Sequence, residues 1–217
     1  VLAGSDKLTR PVWSPDGFRI LAGGERLPSN TQEHIYRLDN TGRGSLRIVN
    51  KAYARSYEWA PDSRHFFFLK GAYGSRGPES MLYVVDALGN PLSPDPASEL
   101  HSFADTVLFP GNINEQQVSW SPDGKQLAYF SEEEQVLYIT DRIFDQRSRK
   151  KVYYPDTGEE IIQVEWPLQQ QLLIQTATTT DKTLKTVSLE TLETAVVAEG
   201  EDITISPNNN ASYFLGR

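Results

Sequence analysis

Short runs in which apolar and polar residues alternate recur along this chain, and no stretch keeps the period of a helix. The runs come in sets of four. A first run leads into a tryptophan: Pro11-Val12 before Trp13, Ser56 to Glu58 before Trp59, Gln117 to Ser119 before Trp120, and Ile162 to Glu165 before Trp166. A second follows the next turn: Arg19 to Ala22, His65 to Leu69, Gln126 to Phe130, Leu172 to Gln175, and Ser212 to Leu215. The third is a shared phrase ending in an acid, at Ile35 to Asp39, Leu82 to Asp86 and Leu137 to Asp141, with Leu184 to Ser188 as its diverged version. The fourth is read at Leu46 to Val49, Glu99 to Phe103, Lys151 to Tyr154 and Ala195 to Ala198. Four short strands per unit predict an all-β chain of four-stranded antiparallel blades.

The turn between the first two runs explains why the unit repeats. Trp13-Ser-Pro-Asp-Gly17 returns as Trp120-Ser-Pro-Asp-Gly124, and Trp59-Ala-Pro-Asp-Ser63 is a near copy. Trp166-Pro167 and Ile205-Ser-Pro-Asn208 read as decayed copies, giving intervals of 46, 61, 46 and 39 residues. Spacing of this order matches a propeller blade of ~40–50 residues plus one insertion. Proline presets φ, Asp bonds the local backbone, and Gly takes the positive φ that returns the chain. Asp16, Asp62 and Asp123 are therefore expected to form turns, and the tryptophans to pack between blades. The blades are read at residues 10–50, 55–104, 116–155 and 161–199, with a partial unit at 202–217. About four and a half to five blades are thus present. Residues 1–9 read as the outer part of a blade, either completing the fifth unit with 202–217 or belonging to a larger propeller whose other blades lie elsewhere.

These phrases resemble the PD40 (WD40-like) repeat of the TolB family, and the resemblance runs through nearly the whole chain. It implies a β-propeller, a protein partner, and a periplasmic or cell-envelope location. It says little about activity, because propellers of this kind serve both as protein-binding modules and as attached domains of peptidases and lyases. The chain departs from the family pattern where the fourth blade lacks Ser-Pro-Asp-Gly and the fifth is incomplete, and no TolB amino-terminal domain is visible.

Composition narrows the function classes. The 217 residues carry a net charge of −8, contrary to the basic face a nucleic-acid binder needs. The basic run Arg147, Arg149, Lys150, Lys151 reads as a solvated hairpin loop. No apolar run reaches the ~20 residues that span a bilayer, so no membrane insertion is expected. The chain opens on Val1 with no signal peptide, which reads as a mature, trimmed or excised piece. With no cysteine, disulfides, thiolate metal sites and cysteine nucleophiles are excluded. There is no Gly-x-Ser-x-Gly elbow, Walker loop or dinucleotide fingerprint. His34, His65 and His101 lack metal-ligand spacing, so no metal or cofactor is expected. Carboxylates brought together from distant blades around a channel would escape this search, so catalysis stays open.

Blade topology sorts the loops. The Ser-Pro-Asp-Gly turns lie on one face. The loops between second and third strands, and those between blades, lie on the other. That second face receives most of the long segments, Gly23 to Glu33, Lys70 to Ser80 and Ala104 to Gln116, while the proline-rich Asp86 to Ser98 falls on the turn face and reads as a stiff connector. Long loops on a rigid scaffold are where binding usually sits. The candidate binding residues are Arg26, Arg55, Tyr73, Arg76, Asn112, Asn114 and Glu133, the last within Glu132-Glu133-Glu134. The expected function is a non-catalytic scaffold holding a protein or peptide on this face. The alternative is the propeller domain of a larger hydrolase, peptidase or lyase that gates or binds its substrate.

Overall fold

The structure is a computed structural model that describes residues 7–25, 32–41, 46–49, 54–71, 80–88, 108–109, 113–140 and 148–200. The chain divides into two compact units, Val1–Pro110 and Gly111–Arg217. Each holds two four-stranded antiparallel blades.

In the first unit, blade 1 consists of β1 (Lys7–Trp13), β2 (Arg19–Glu25), β3 (Gln32–Asp39) and β4 (Leu46–Val49). Blade 2 consists of β5 (Ala54–Trp59), β6 (His65–Gly71), β7 (Ser80–Asp86) and β8 (Leu108–Phe109). A single bridge, Gln32 with Ala54, joins the two into one eight-stranded sheet. In the second unit, blade 3 consists of β9 (Val118–Trp120), β10 (Leu127–Ser131), β11 (Val136–Thr140) and β12 (Arg149–Tyr153), entered by a 3-10 turn at Glu115–Gln117. Blade 4 consists of β13 (Glu160–Leu168), β14 (Gln171–Ala177), β15 (Lys182–Ser188) and β16 (Thr194–Gly200).

Three expectations need correction. Lys7 to Thr9 begin β1 and pair with Gly23 to Glu25, so they belong to blade 1 and not to another blade. The strand that pairs with β7 is Leu108–Phe109, past the expected end of the blade, while 99–103 lie outside the described residues. The expected loop Ala104 to Gln116 therefore contains a strand. Finally, the basic run is no solvated loop: Arg149, Lys150 and Lys151 form most of β12, and 147 lies outside the described residues.

The Ser-Pro-Asp-Gly turns work as read. Gly17 and Gly124 sit at φ +73° and +69°, and Ser63 takes the same left-handed conformation in blade 2. Asp16 Oδ1 accepts from the Phe18 amide at 3.0 Å and Asp123 Oδ1 from the Lys125 amide at 3.1 Å. Asp62 accepts from the amides of Arg64 and His65. The acid that ends the third-strand phrase has a parallel task. Asp86, fully buried, accepts from the Leu88 amide and from Arg64, and Asp39 accepts from the amide and hydroxyl of Thr41.

Blades pack through apolar faces closed by bonds to backbone. Leu21, Ile35 and Ile48 of blade 1 meet Trp59, Phe66, Phe68 and Val85 of blade 2. Ala128, Phe130, Leu137 and Val152 of blade 3 meet Val164, Trp166, Leu172 and Val187 of blade 4. Arg10 Nη1 donates to Arg55 O at 2.6 Å, and its counterpart Gln117 Nε2 donates to Ile161 O at 2.6 Å. Arg37 Nη1 reaches Ala87 O, and Lys150 Nζ reaches the equivalent carbonyl of Leu189.

Candidate functional site

Strand direction places the loop face. β10 leaves its Ser-Pro-Asp-Gly turn and ends at Ser131, so the Glu132–Gln135 turn lies at the opposite end of the hairpin. The 3-10 turn before β9, the Tyr154–Glu159 linker and the Thr178–Asp181 turn lie at that same end of the second unit.

Among the proposed binding residues, Arg55, Asn114 and Glu133 are described and all three are exposed. Arg26, Tyr73, Arg76 and Asn112 lie outside the described residues. Arg55 opens β5, and its carbonyl takes the Arg10 guanidinium. Asn114 already has structural work: its Oδ1 accepts from the Gln116 amide at 3.2 Å, and its own amide donates to Gln117 Oε1, completing a capping box. Glu133 stands at the tip of the β10–β11 turn. Among the described residues, no hydrogen bond or ion pair joins Asn114 to Glu133. The exposed acids Glu115, Glu133, Asp156, Glu160 and Asp181 give this end of the second unit an acidic rim.

Beneath the rim are two polar clusters that sequence reading missed. Tyr138 Oη donates to Glu134 Oε2, and Arg149 Nη2 donates to Glu134 Oε1 at 2.8 Å. The Arg149 guanidinium also lies 4.4 Å from the Tyr138 ring centroid and bonds Tyr129 Oη. Tyr129 and Tyr138 are cross-strand partners with stacked rings 5.5 Å apart. Burial and the Glu134 carboxylate push the Tyr138 phenol up to about 12. The hydrogen bond from Tyr138 in turn holds the Glu134 carboxyl below its usual range. Glu134, beside the candidate Glu133, is the residue that anchors the turn.

The second cluster ties the Tyr154–Glu159 linker to blade 4. Tyr153 Oη donates to Glu159 Oε2 at 2.6 Å, Lys185 Nζ donates to Glu159 Oε1 at 2.5 Å, and the Asp156 amide adds a bond at 3.0 Å. Burial works to raise the Glu159 carboxyl, but the bonds from Lys185, Thr176 and Tyr153 outweigh it and hold the group at about 2. Burial and the same carboxylate push Tyr153 up to about 12. Register brings these groups together: Lys185 lies opposite Ile174 on the face of blade 4 that meets blade 3, next to the end of β12. Both clusters are internally satisfied. They set the positions of loops and offer no group poised for chemistry. Among the described residues, no three His, Cys, Asp or Glu side chains gather as a metal site.

No family model matches the chain, and no curated protein matches it. Solved structures do. A TolB protein from Agrobacterium tumefaciens aligns at TM-score 0.55 and 16% identity, over 89% of this chain and 62% of that one. Prolyl oligopeptidase B from Galerina marginata aligns at TM-score 0.64 and 14% identity, over 93% of this chain and 32% of that one. A puromycin-hydrolyzing peptidase from Mycobacterium tuberculosis aligns at 0.58 and 12%, over 90% and 31%. The fold is that of β-propeller blades. The chain spans less than two thirds of each of these structures. No described helix is long and apolar enough to cross a membrane.

Proposed function

We propose that the chain is a non-catalytic scaffold that holds a protein or peptide on its loop face, at the periplasm or cell envelope. The observation that carries this reading is the acidic rim at the loop end of the second unit. The Ser-Pro-Asp-Gly turns at the opposite end are internally bonded. In the second unit the loop face carries an exposed acidic rim over two satisfied anchor clusters. Such a rim favours a partner segment rich in Lys and Arg and binding that weakens with salt. Arg26, Tyr73, Arg76 and Asn112, outside the described residues, are proposed as further binding residues in the loops of their own units. The likeness to TolB structures supports the reading at the level of the fold.

Photoreactive residues at Glu133 and Arg55 test it, with Lys125 on the turn face as the control. A stoichiometric protein cross-linked from Glu133 or Arg55 and not from Lys125, and lost when salt is added before irradiation, is the expected result. Capture from Lys125 alone, or from none of the three, refutes the face assignment. The likeness to two peptidases supports a second reading, a propeller domain that gates a larger hydrolase. A native polypeptide far larger than 24.4 kDa, cross-linking within itself to a catalytic domain, would favour that one.

A further inference from the structure

The seam between blades 1 and 2 is closed differently at its turn end from the seam between blades 3 and 4. On the face of blade 1 that meets blade 2, Arg37 lies opposite Leu21 and Arg19 lies opposite Asp39, so the two arginines are diagonal neighbours. Arg19 Nη1 donates to Ser63 O at 3.1 Å, and Arg37 Nη1 donates to Ala87 O at 2.6 Å, both carbonyls of blade 2. Six residues past its tryptophan, where blade 1 has Arg19, blade 3 has Gln126, and at the third-strand position of Arg37 it has Ile139. Gln126 turns to Thr140 O in its own blade, and Lys150 reaches the Leu189 carbonyl. Among the described residues, one cation ties the turn end of that seam, whereas blade 1 brings two.

The nearby acids are bonded elsewhere. Asp16 accepts from Ser14 Oγ at 2.6 Å and from the Phe18 amide, and it meets Arg19 only at 3.4 Å. Asp39 accepts from the amide and hydroxyl of Thr41. Asp86 accepts from the Leu88 amide and from Arg64. Among the described residues Arg37 joins no ion pair, and its bond to Ala87 O is its one hydrogen bond. Burial and the neighbouring Arg19 charge pull the Arg37 guanidinium below its ordinary range. A guanidinium has several N–H donors in a fixed fork, and each of these two uses only Nη1. Two like charges held side by side repel, and an anion bonded to both relieves that repulsion.

We propose that Arg19 and Arg37 form a binding site for a phosphate group at the turn end of the seam between blades 1 and 2. Arginine forks match phosphate and carboxylate oxygens in pairs. Two forks on adjacent strands carry two positive charges. They suit a dianion with three terminal oxygens better than a carboxylate with one charge and two oxygens. Inorganic phosphate and phosphate monoesters present the same oxygens and belong to one class here. The site lies at the turn end of the first unit, so it stands independently of the acidic rim and its proposed partner.

Inorganic phosphate and phosphoserine, titrated separately into the 217-residue chain at fixed ionic strength, test this, with the arginine Nε–H signals followed by heteronuclear NMR. Saturable shifts at Arg19 and Arg37, and not at the exposed Arg55, are expected. Two variants import what the other seam already uses. Arg37→Lys can hold the Ala87 carbonyl as Lys150 holds that of Leu189, and Arg19→Gln copies Gln126. Each should leave the circular dichroism spectrum unchanged and weaken binding by at least ~10-fold, the worth of one charge-assisted hydrogen bond. Tighter saturation by phosphoserine assigns the site to an ester, and tighter saturation by inorganic phosphate assigns it to the ion; both uphold it. Wild-type shifts that are absent, that never saturate or that Arg55 shares equally overturn the proposal. So does an affinity unchanged in either variant.

Discussion

Replacing Glu159 with Gln removes one charge from the cluster that fastens the interblade linker. The carboxylate accepts from Tyr153 Oη, Lys185 Nζ and the Asp156 amide, and it is almost fully buried. These bonds hold its carboxyl at about 2 against an ordinary 4.5. At ~1.4 kcal/mol per pH unit, that displacement corresponds to roughly 3 kcal/mol. Removing one partner of a buried ion pair costs about 3–5 kcal/mol by independent reckoning, because the other charge is left behind. The carboxyl is depressed in the folded state, so its contribution is fully present above 4.5 and is lost as pH falls from there toward 2. Urea unfolding at neutral pH, repeated in steps down to about pH 3, measures both effects. Glu159→Gln should cost about 3 kcal/mol at neutral pH and should flatten the acid limb of the stability curve. Combining it with Lys185→Met should cost less than the sum of the single changes, since the two residues share one interaction. A neutral-pH cost below ~0.5 kcal/mol, or an acid limb as steep as that of the wild type, would refute the reasoning.

Trp59→Phe keeps an aromatic ring in the contact between blades 1 and 2 but deletes the donor to Val12 O. It should lower the urea midpoint by the equivalent of about 1–2 kcal/mol, whereas Trp13→Phe, at an exposed site, should change it by less than ~0.5 kcal/mol. Among the described tyrosines, Tyr138 and Tyr153 should ionise last in an alkaline absorbance titration, near 12. Their phenols are raised in the folded state, so the stability they add is intact below 10 and lost as pH rises toward 12. Tyr138→Phe should remove part of the late amplitude, and a late phase unchanged in that variant would contradict the assignment.

The sequence made the blades legible because their turns depend on local chemistry. Pro, Asp and Gly act within five residues of one another, and Asp16, Asp62 and Asp123 bond the amides that such turns require. The third-strand phrase was equally readable, since its acid closes a turn two residues on. Elements set by pairing alone were not. β8 has two residues and no motif, so it could be found only through its partners Leu82 and Tyr83. Lys7 to Thr9 looked detached because a bulge at Arg10 and Pro11 interrupts the strand pattern. The polar clusters were invisible for a related reason. Tyr153 and Lys185 are 32 residues apart, and only the packing of blade 4 on blade 3 brings them to Glu159. The basic run misled because residues 149–151 belong to a strand whose charges are used at the sheet edge and against Tyr129, Tyr138 and Leu189.

The bonds between blades explain how one fold tolerates so much divergence within a single chain. Most of them end on backbone carbonyls: Val12, Arg55, Ala87, Ile161 and Leu189 each accept from the neighbouring blade. A carbonyl is present whatever the residue, so only the donor must be supplied: Arg10 and Gln117 serve at one position, while Arg37 of a third strand and Lys150 of a fourth strand reach the equivalent carbonyls of Ala87 and Leu189. Blade 4 can therefore lose Ser-Pro-Asp-Gly, turn instead at Gln169-Gln170, and still bury Trp166 against blade 3. Selection on such a frame acts weakly on the identity of most interface side chains and leaves the loops free to change. The fold can then persist at 16% identity. The proposed partner is accordingly to be sought through the loop face, and not through residues shared with other propellers.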